Sequence, residues 1–189
     1  MKIKSENIAD YIDLNYDINE FESLKELDKV EELVTNSLNY SLEVAPFYPK
    51  ELSCFRNLKD CTFINFEITD EIIENLNKTS LKKLSLDNCK CTINNELNIE
   101  RLYAEISNVN FKKIDAEELT ILECGTIDIN DLNKNIKELT LLNCNIVNSN
   151  ILKNFKNCKI EIIGCTLDDT SVKELENVKY DPNKYEKII

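Results

Sequence analysis

Eight cysteines are the residues best suited to chemistry in this chain: Cys54, Cys61, Cys89, Cys91, Cys124, Cys144, Cys158 and Cys165. Cys89-Lys-Cys91 brings two thiols within one residue of each other, the spacing of a metal or redox pair. A structural metal site needs four donors, and no second cysteine pair or histidine accompanies this one, so the motif reads as structural. Histidine is absent altogether. That removes Ser-His-Asp and Cys-His catalysis, imidazole-ligated metals and any histidine pH switch. Two glycines leave no room for a Gly-rich phosphate cradle. Arg56 and Arg101, the only arginines, offer little bidentate phosphate chemistry. The acidic group Asp70, Glu71 and Glu74 falls on a segment where a solvated face is the default. Paired carboxylates for acid–base work need a pocket that shifts their pKa values, and no such pocket is signalled. Neither catalytic residues nor cofactor or metal ligands are expected.

A net charge of −12 argues against nucleic acid, because phosphate backbones are held by basic stripes. Apolar runs last only a few residues, and MKIKSENIADYIDL is broken by charges throughout, so neither a leader nor a membrane span is expected. Free thiols in a reducing compartment follow, the cytoplasm or the nucleus. Asn39-Tyr-Ser41 and Asn77-Lys-Thr79 match the glycosylation pattern, but without a secretory signal both read as coincidence. The excess of asparagine, isoleucine and lysine reads as the codon bias of an AT-rich genome.

The elements that must position these side chains are set by an internal repeat. Leu81-Lys-Lys-Leu84-Ser-Leu86-Asp-Asn-Cys89 and Ile136-Lys-Glu-Leu139-Thr-Leu141-Leu-Asn-Cys144 share one pattern, LxxLxLxx(N/C). Ala116, Leu119, Ile121 and Cys124 give a third copy, and Ile99, Leu102, Ala104 and Ser107 a fourth. Leu58, Cys61, Phe63 and Phe66 give a fifth, and Asn157, Ile160, Ile162 and Cys165 a sixth. Degenerate copies flank these at Val30, Leu33, Thr35 and Leu38, and at Leu175, Val178, Tyr180 and Asn183.

On these residues the chain resembles the leucine-rich repeat superfamily, from about residue 24 to 185. Ile68-Thr-Asp-Glu-Ile-Ile-Glu-Asn-Leu76 looks like a return segment of its cysteine-containing form. No F-box accompanies the repeats in residues 1–45. The resemblance implies an α/β solenoid of seven or eight units, with a parallel sheet lining a concave side. Its domains would be a helical cap over 1–29, repeats over 30–185 and a cap end over 186–189. Ser5 to Asn15 and Ile18 to Val34 read as the capping helix, with an apolar stripe of Ile18, Phe21, Leu24 and Leu27. Tyr185, Ile188 and Ile189 would close the other end. Spacings of 17 and 18 residues around Leu102 fall below the usual repeat of about 20, so those returns must be extended or single-turn.

Strand side chains alternate, so the residues between the inward ones face the concave side. They form three columns: Asp60, Lys83, Arg101, Glu118, Glu138, Lys159; then Thr62, Ser85, Tyr103, Thr120, Thr140, Glu161; then Ile64, Asp87, Glu105, Leu122, Leu142, Ile163. Leu122, Leu142 and Ile163 make an apolar ridge on three successive units, which marks an interaction site. Two other arrangements fit the same residues: a C-terminal segment folded over the ridge, or a strand register shifted by one. The expected function is a non-catalytic protein-interaction module. Its concave face would bind a protein partner through Leu122, Leu142, Ile163, Tyr103, Arg101, Glu105, Thr120, Thr140 and Glu161. The alternative is a homo-oligomeric assembly protein that self-associates through the ridge or the solenoid ends.

Overall fold

The computed structural model describes residues 2–5, 30–36 and 49–186. Nine strands form one all-parallel sheet: β1 (Lys2–Ser5), β2 (Glu32–Asn36), β3 (Asp60–Ile64), β5 (Lys83–Asp87), β7 (Leu97–Glu105), β9 (Ile114–Leu122), β11 (Glu138–Leu142), β13 (Lys159–Ile163) and β15 (Val178–Asp181). Short strands between them build two further parallel sheets: β4 (Glu67–Ile68), β6 (Lys90–Cys91) and β8 (Asn108–Val109), then β10 (Thr126–Asp128), β12 (Asn145–Val147) and β14 (Thr166–Leu167). From β2 onward each main strand pairs with the main strand that follows it, so the chain coils in one direction, an arrangement compatible with a solenoid.

Each coil follows from its residue pattern. Cys61, Leu84, Leu102, Leu119, Leu139 and Ile160 lie in pairing register, and so do Phe63, Leu86, Ala104, Ile121, Leu141 and Ile162. All twelve are buried. A second apolar line, Ile68, Cys91 and Val109, then Ile127, Ile146 and Leu167, runs down the short sheets. The two short sheets are separate because the fifth unit carries one extra residue, Gly125, which takes φ +77°.

The chain leaves every main strand from β3 to β13 through one residue in the left-handed region. These are Asn65, Asn88, Ile106, Glu123, Asn143 and Gly164. Asparagine and glycine tolerate that backbone; a β-branched residue does not. The next layer closes the turn. Ser107 Oγ accepts the Cys89 N–H at 2.9 Å, Cys124 Sγ accepts the Ser107 N–H at 3.4 Å, and Cys165 Sγ accepts the Cys144 N–H at 3.3 Å. The thiols in turn donate to carbonyls, as Cys124 does to Ala104 and Leu122. This small-residue column satisfies amides that the turn would otherwise bury unpaired.

The return segments differ in length and so in form. After β4 the longer return holds one α-helix, α1 (Asp70–Leu76), whose Ile72, Ile73 and Leu76 are buried. The other returns are 3-10 turns or extended chain. Around Leu102, where the spacing is shortest, β7 and β9 lengthen to nine residues each and a single turn at Phe111–Lys113 connects them.

The N-terminal reading is corrected in part. Lys2–Ser5 pairs in parallel with Glu32–Asn36, Lys2 opposite Glu32 and Ser5 opposite Thr35, so residues 2–5 are strand. Glu32–Asn36 is also strand, which ends any helix before Val34. The stretch 6–29, with its Ile18, Phe21, Leu24 and Leu27 stripe, lies outside the described residues. So do Leu38, the Asn39-Tyr-Ser41 motif, Ile188 and Ile189.

Candidate interaction face

The outward residues of the main sheet meet in the three expected columns, because the strand pairs are Asp60 to Lys83 to Arg101 to Glu118, and Glu118 to Glu138 to Lys159. The first column is charged and exposed at Arg101, Glu118 and Glu138. Lys83 Nζ reaches Asp60 at 3.1 Å, and Arg101 Nε reaches Glu118 at 3.0 Å. Exposed pairs of this kind stabilise little and fix side-chain geometry instead. Thr120, Thr140 and Glu161 occupy the second column half-buried, and Lys179 of β15 bonds to Glu161 beside them.

Tyr103 sits in the middle of the face. Its hydroxyl donates to Glu105 Oε2 at 2.9 Å. Burial first, then that hydrogen bond and the negative charge of Glu105, raise its pKa, with the Tyr185 hydroxyl adding to the effect. Tyr103, Arg101, Glu105, Thr120, Thr140 and Glu161 therefore line one continuous polar surface.

Leu122 and Leu142 depart from the expected exposed ridge. Their register is intact, with Leu142 opposite Leu122 on one side and Ile163 on the other. Yet Leu122 is 4% exposed and Leu142 6%, while Ile163 is half-buried. Beside Leu142 the C-terminal segment 182–186 forms a strap that turns back over the ends of the strands. Asp181 Oδ1 accepts from the Asn183 N–H at 2.9 Å and so reverses the chain after β15. The strap then crosses Gly164: a Cβ there would collide with Asn143 Oδ1 and meet the Lys184 Cα at 3.0 Å and the Asn183 carbonyl oxygen at 3.1 Å. At the next coil the Asn143 carboxamide holds Tyr185 by both main-chain groups. The Tyr185 N–H donates to Oδ1 at 2.9 Å, and Nδ2 donates to the Tyr185 carbonyl at 2.9 Å. Tyr185 is half-buried and is held at Asn143, the residue that follows Leu142. The expected role of Tyr185 in sealing the last turn is corrected accordingly.

The cysteines fill structural places. Cys91 is fully buried in the second apolar line, and burial pushes its thiol up to about 12. Burial likewise pushes Cys124 and Cys158 up to about 11. Cys144 goes the other way: the Cys165 thiol beside it, helped by neighbouring main-chain groups, holds it below the usual thiol value against the effect of burial. Cys165 is raised by the same contact. All eight cysteines are free. Among the described residues no three cysteine or carboxylate side chains converge as a metal site, and no helix is long and apolar enough to cross a membrane.

A hollow of about 960 Å³ opens at the opposite end of the strands, lined in part by Leu81, Ile99, Ile136, Phe155, Glu117 and Lys137. It is open, and ion pairs such as Lys137–Glu117 at 2.7 Å occupy its rim. Pattern reading misses Asn143 and Gly164 and assigns Tyr185 to the last turn instead of to Asn143. One signal pointed to them: Gly164 stands at the turn position where Asn65, Asn88 and Asn143 stand in other units.

Scans of protein-family models, of curated proteins and of solved structures find no match to this chain.

Proposed function

We propose that this chain is a leucine-rich-repeat-type solenoid acting as a non-catalytic protein-interaction module. Its working surface is the concave face of the main sheet, with Arg101, Tyr103, Glu105, Thr120, Thr140 and Glu161 at its centre. The observation that carries this reading is the face itself: rigid parallel strands hold charged, hydroxyl and aromatic side chains in straight columns about 4.8 Å apart. Such a surface recognises another protein by shape and charge, with Tyr103 and Arg101 as the residue types that anchor interfaces. The net charge of −12 favours a basic partner and disfavours nucleic acid and anionic membranes. The cytoplasm is the location that suits eight free thiols.

Site-specific photo-crosslinking in the cell tests this. A photoreactive residue at Thr140, on the concave face, should give a discrete heterologous adduct, while one at exposed Asn130 on the return side should not. Adducts at Asn130 alone would place the working surface on the convex side.

A second reading, self-assembly through the solenoid end, is favoured by the last unit. Leu175, Val178 and Tyr180 are only partly buried, whereas Leu139, Leu141, Ile160 and Ile162 in the units before are sealed. A native mass at a multiple of 21.9 kDa would support it, and a monomer mass would exclude it.

A further inference from the structure

The segment that crosses Gly164 and Asn143 is held in a way that suits an exchangeable occupant. Pro182, Asn183, Lys184 and Glu186 are exposed, and only Tyr185 is half-buried. The strap's two hydrogen bonds to the notch are made to one side chain, Asn143, rather than to a neighbouring strand. A contact with so little buried surface opens at low cost, unlike the sealed core beneath it. Asn143 offers one acceptor and one donor to the main chain of whatever lies there, so it reads an extended backbone and not a particular side chain. Gly164 supplies the close approach, since any Cβ would meet the Lys184 Cα. Specificity comes from Tyr185, the half-buried residue of the strap. Beyond the strap the turn line continues through Glu123 to Ile106, which is 53% exposed.

We propose that the strap 182–186 occupies a peptide-binding notch formed by Asn143 and Gly164 at the strand ends beside Leu142, and that this notch takes a tyrosine-bearing segment of the partner. The strap itself shows the chemistry that fits: Asn183-Lys184-Tyr185-Glu186, with lysine beside the tyrosine. Glu123, whose Oε1 accepts from Asn143 Nδ2 at 3.0 Å, favours such basic flanks. The inference rests on the concave-face reading and adds the partner's chemistry and a competition. A tethered segment acts at an effective concentration on the order of millimolar, so an incoming segment must displace it. The partner's apparent dissociation constant is then its intrinsic value divided by the fraction of open notches.

The probe is a fluorescein-labelled nonapeptide with the sequence of residues 181–189, titrated into the full chain by fluorescence anisotropy. Tyr185→Ala weakens the tethered occupant and leaves the notch intact, so the peptide should bind this variant at least about tenfold more tightly than the unaltered chain. Adding Asn143→Gly, which keeps the left-handed turn but removes the carboxamide, should abolish the gain. A peptide with alanine in place of its tyrosine should not bind either protein. All variants are compared by thermal melting. Equal affinity for the unaltered chain and Tyr185→Ala, no binding to a normally melting Tyr185→Ala, or a gain indifferent to Asn143→Gly would each overturn the inference. These results leave the Thr140 crosslink untouched, so failure here is distinguishable from failure of the concave-face reading.

Discussion

Ile106 holds the same turn position as Asn65, Asn88, Asn143 and Gly164, with φ +48°. A left-handed backbone costs an ordinary L-residue roughly 1–2 kcal/mol, and a β-branched side chain is among the least tolerant. Asparagine escapes most of that cost. Ile106 recovers little by burial, because it is 53% exposed. Its N–H donates to the Leu122 carbonyl at 2.9 Å, a bond that any non-proline residue there keeps. Ile106→Asn should therefore stabilise the protein by about 1 kcal/mol, which raises the melting temperature by about 2–4 °C for a chain of this size. The reciprocal change, Asn88→Ile, should lose about as much. It also removes the bond from Asn88 Nδ2 to Asn65 Oδ1 at 2.5 Å. Urea unfolding followed by far-UV circular dichroism measures both, with the slope m unchanged. An Ile106→Asn variant no more stable than the parent, at equal m, would show that isoleucine makes contacts there that outweigh its backbone cost.

Two further changes test the core and the thiols. Leu139→Ala removes a fully buried side chain from a central strand and should destabilise by roughly 2–5 kcal/mol, with loss of protection in the neighbouring coils by hydrogen exchange; unchanged melting would contradict the inward register. Cys91 titrates at about 12 when folded against 9.0 for the free thiol, so the unfolded chain releases its proton first and stability falls as pH rises from 9 through 12, by up to ~4 kcal/mol from this group alone. Cys91→Val, which copies Val109 in the same apolar line, should leave stability at pH 7 near the parent's and flatten the alkaline fall by about one proton; an unchanged alkaline slope would contradict that burial.

Much of the fold was legible because each coil repeats the same demand. Leu84, Leu102, Leu119 and Leu139 must be apolar for one reason, burial against the adjacent coil, and that reason recurs at a fixed position. Short spacing around Leu102 similarly required extended returns, which β7 and β9 supply. Lys2–Ser5 was not legible as strand, since KIKS carries no periodic apolar face and its place comes from pairing with residues 32–35. Leu122 and Leu142 read correctly as outward but wrongly as open. The strap beside Leu142 is anchored by Tyr185 on Asn143, 42 residues apart, through Tyr185 main-chain groups that leave no pattern in sequence. Three apolar outward residues in a row announce a need for cover without naming its source.

Both the open polar face and the occupied notch depend on the strap's closing over the end of the sheet. The direct measurement is amide hydrogen exchange at Tyr185, read by nuclear magnetic resonance in the parent and in Asn143→Gly. The Tyr185 N–H is bonded to Asn143 Oδ1, so it should exchange at least about tenfold more slowly than an unstructured amide in the parent and near the free rate in the variant. Exchange at the free rate in the parent would mean that the strap is not seated and that Leu122 and Leu142 stand open on the concave face.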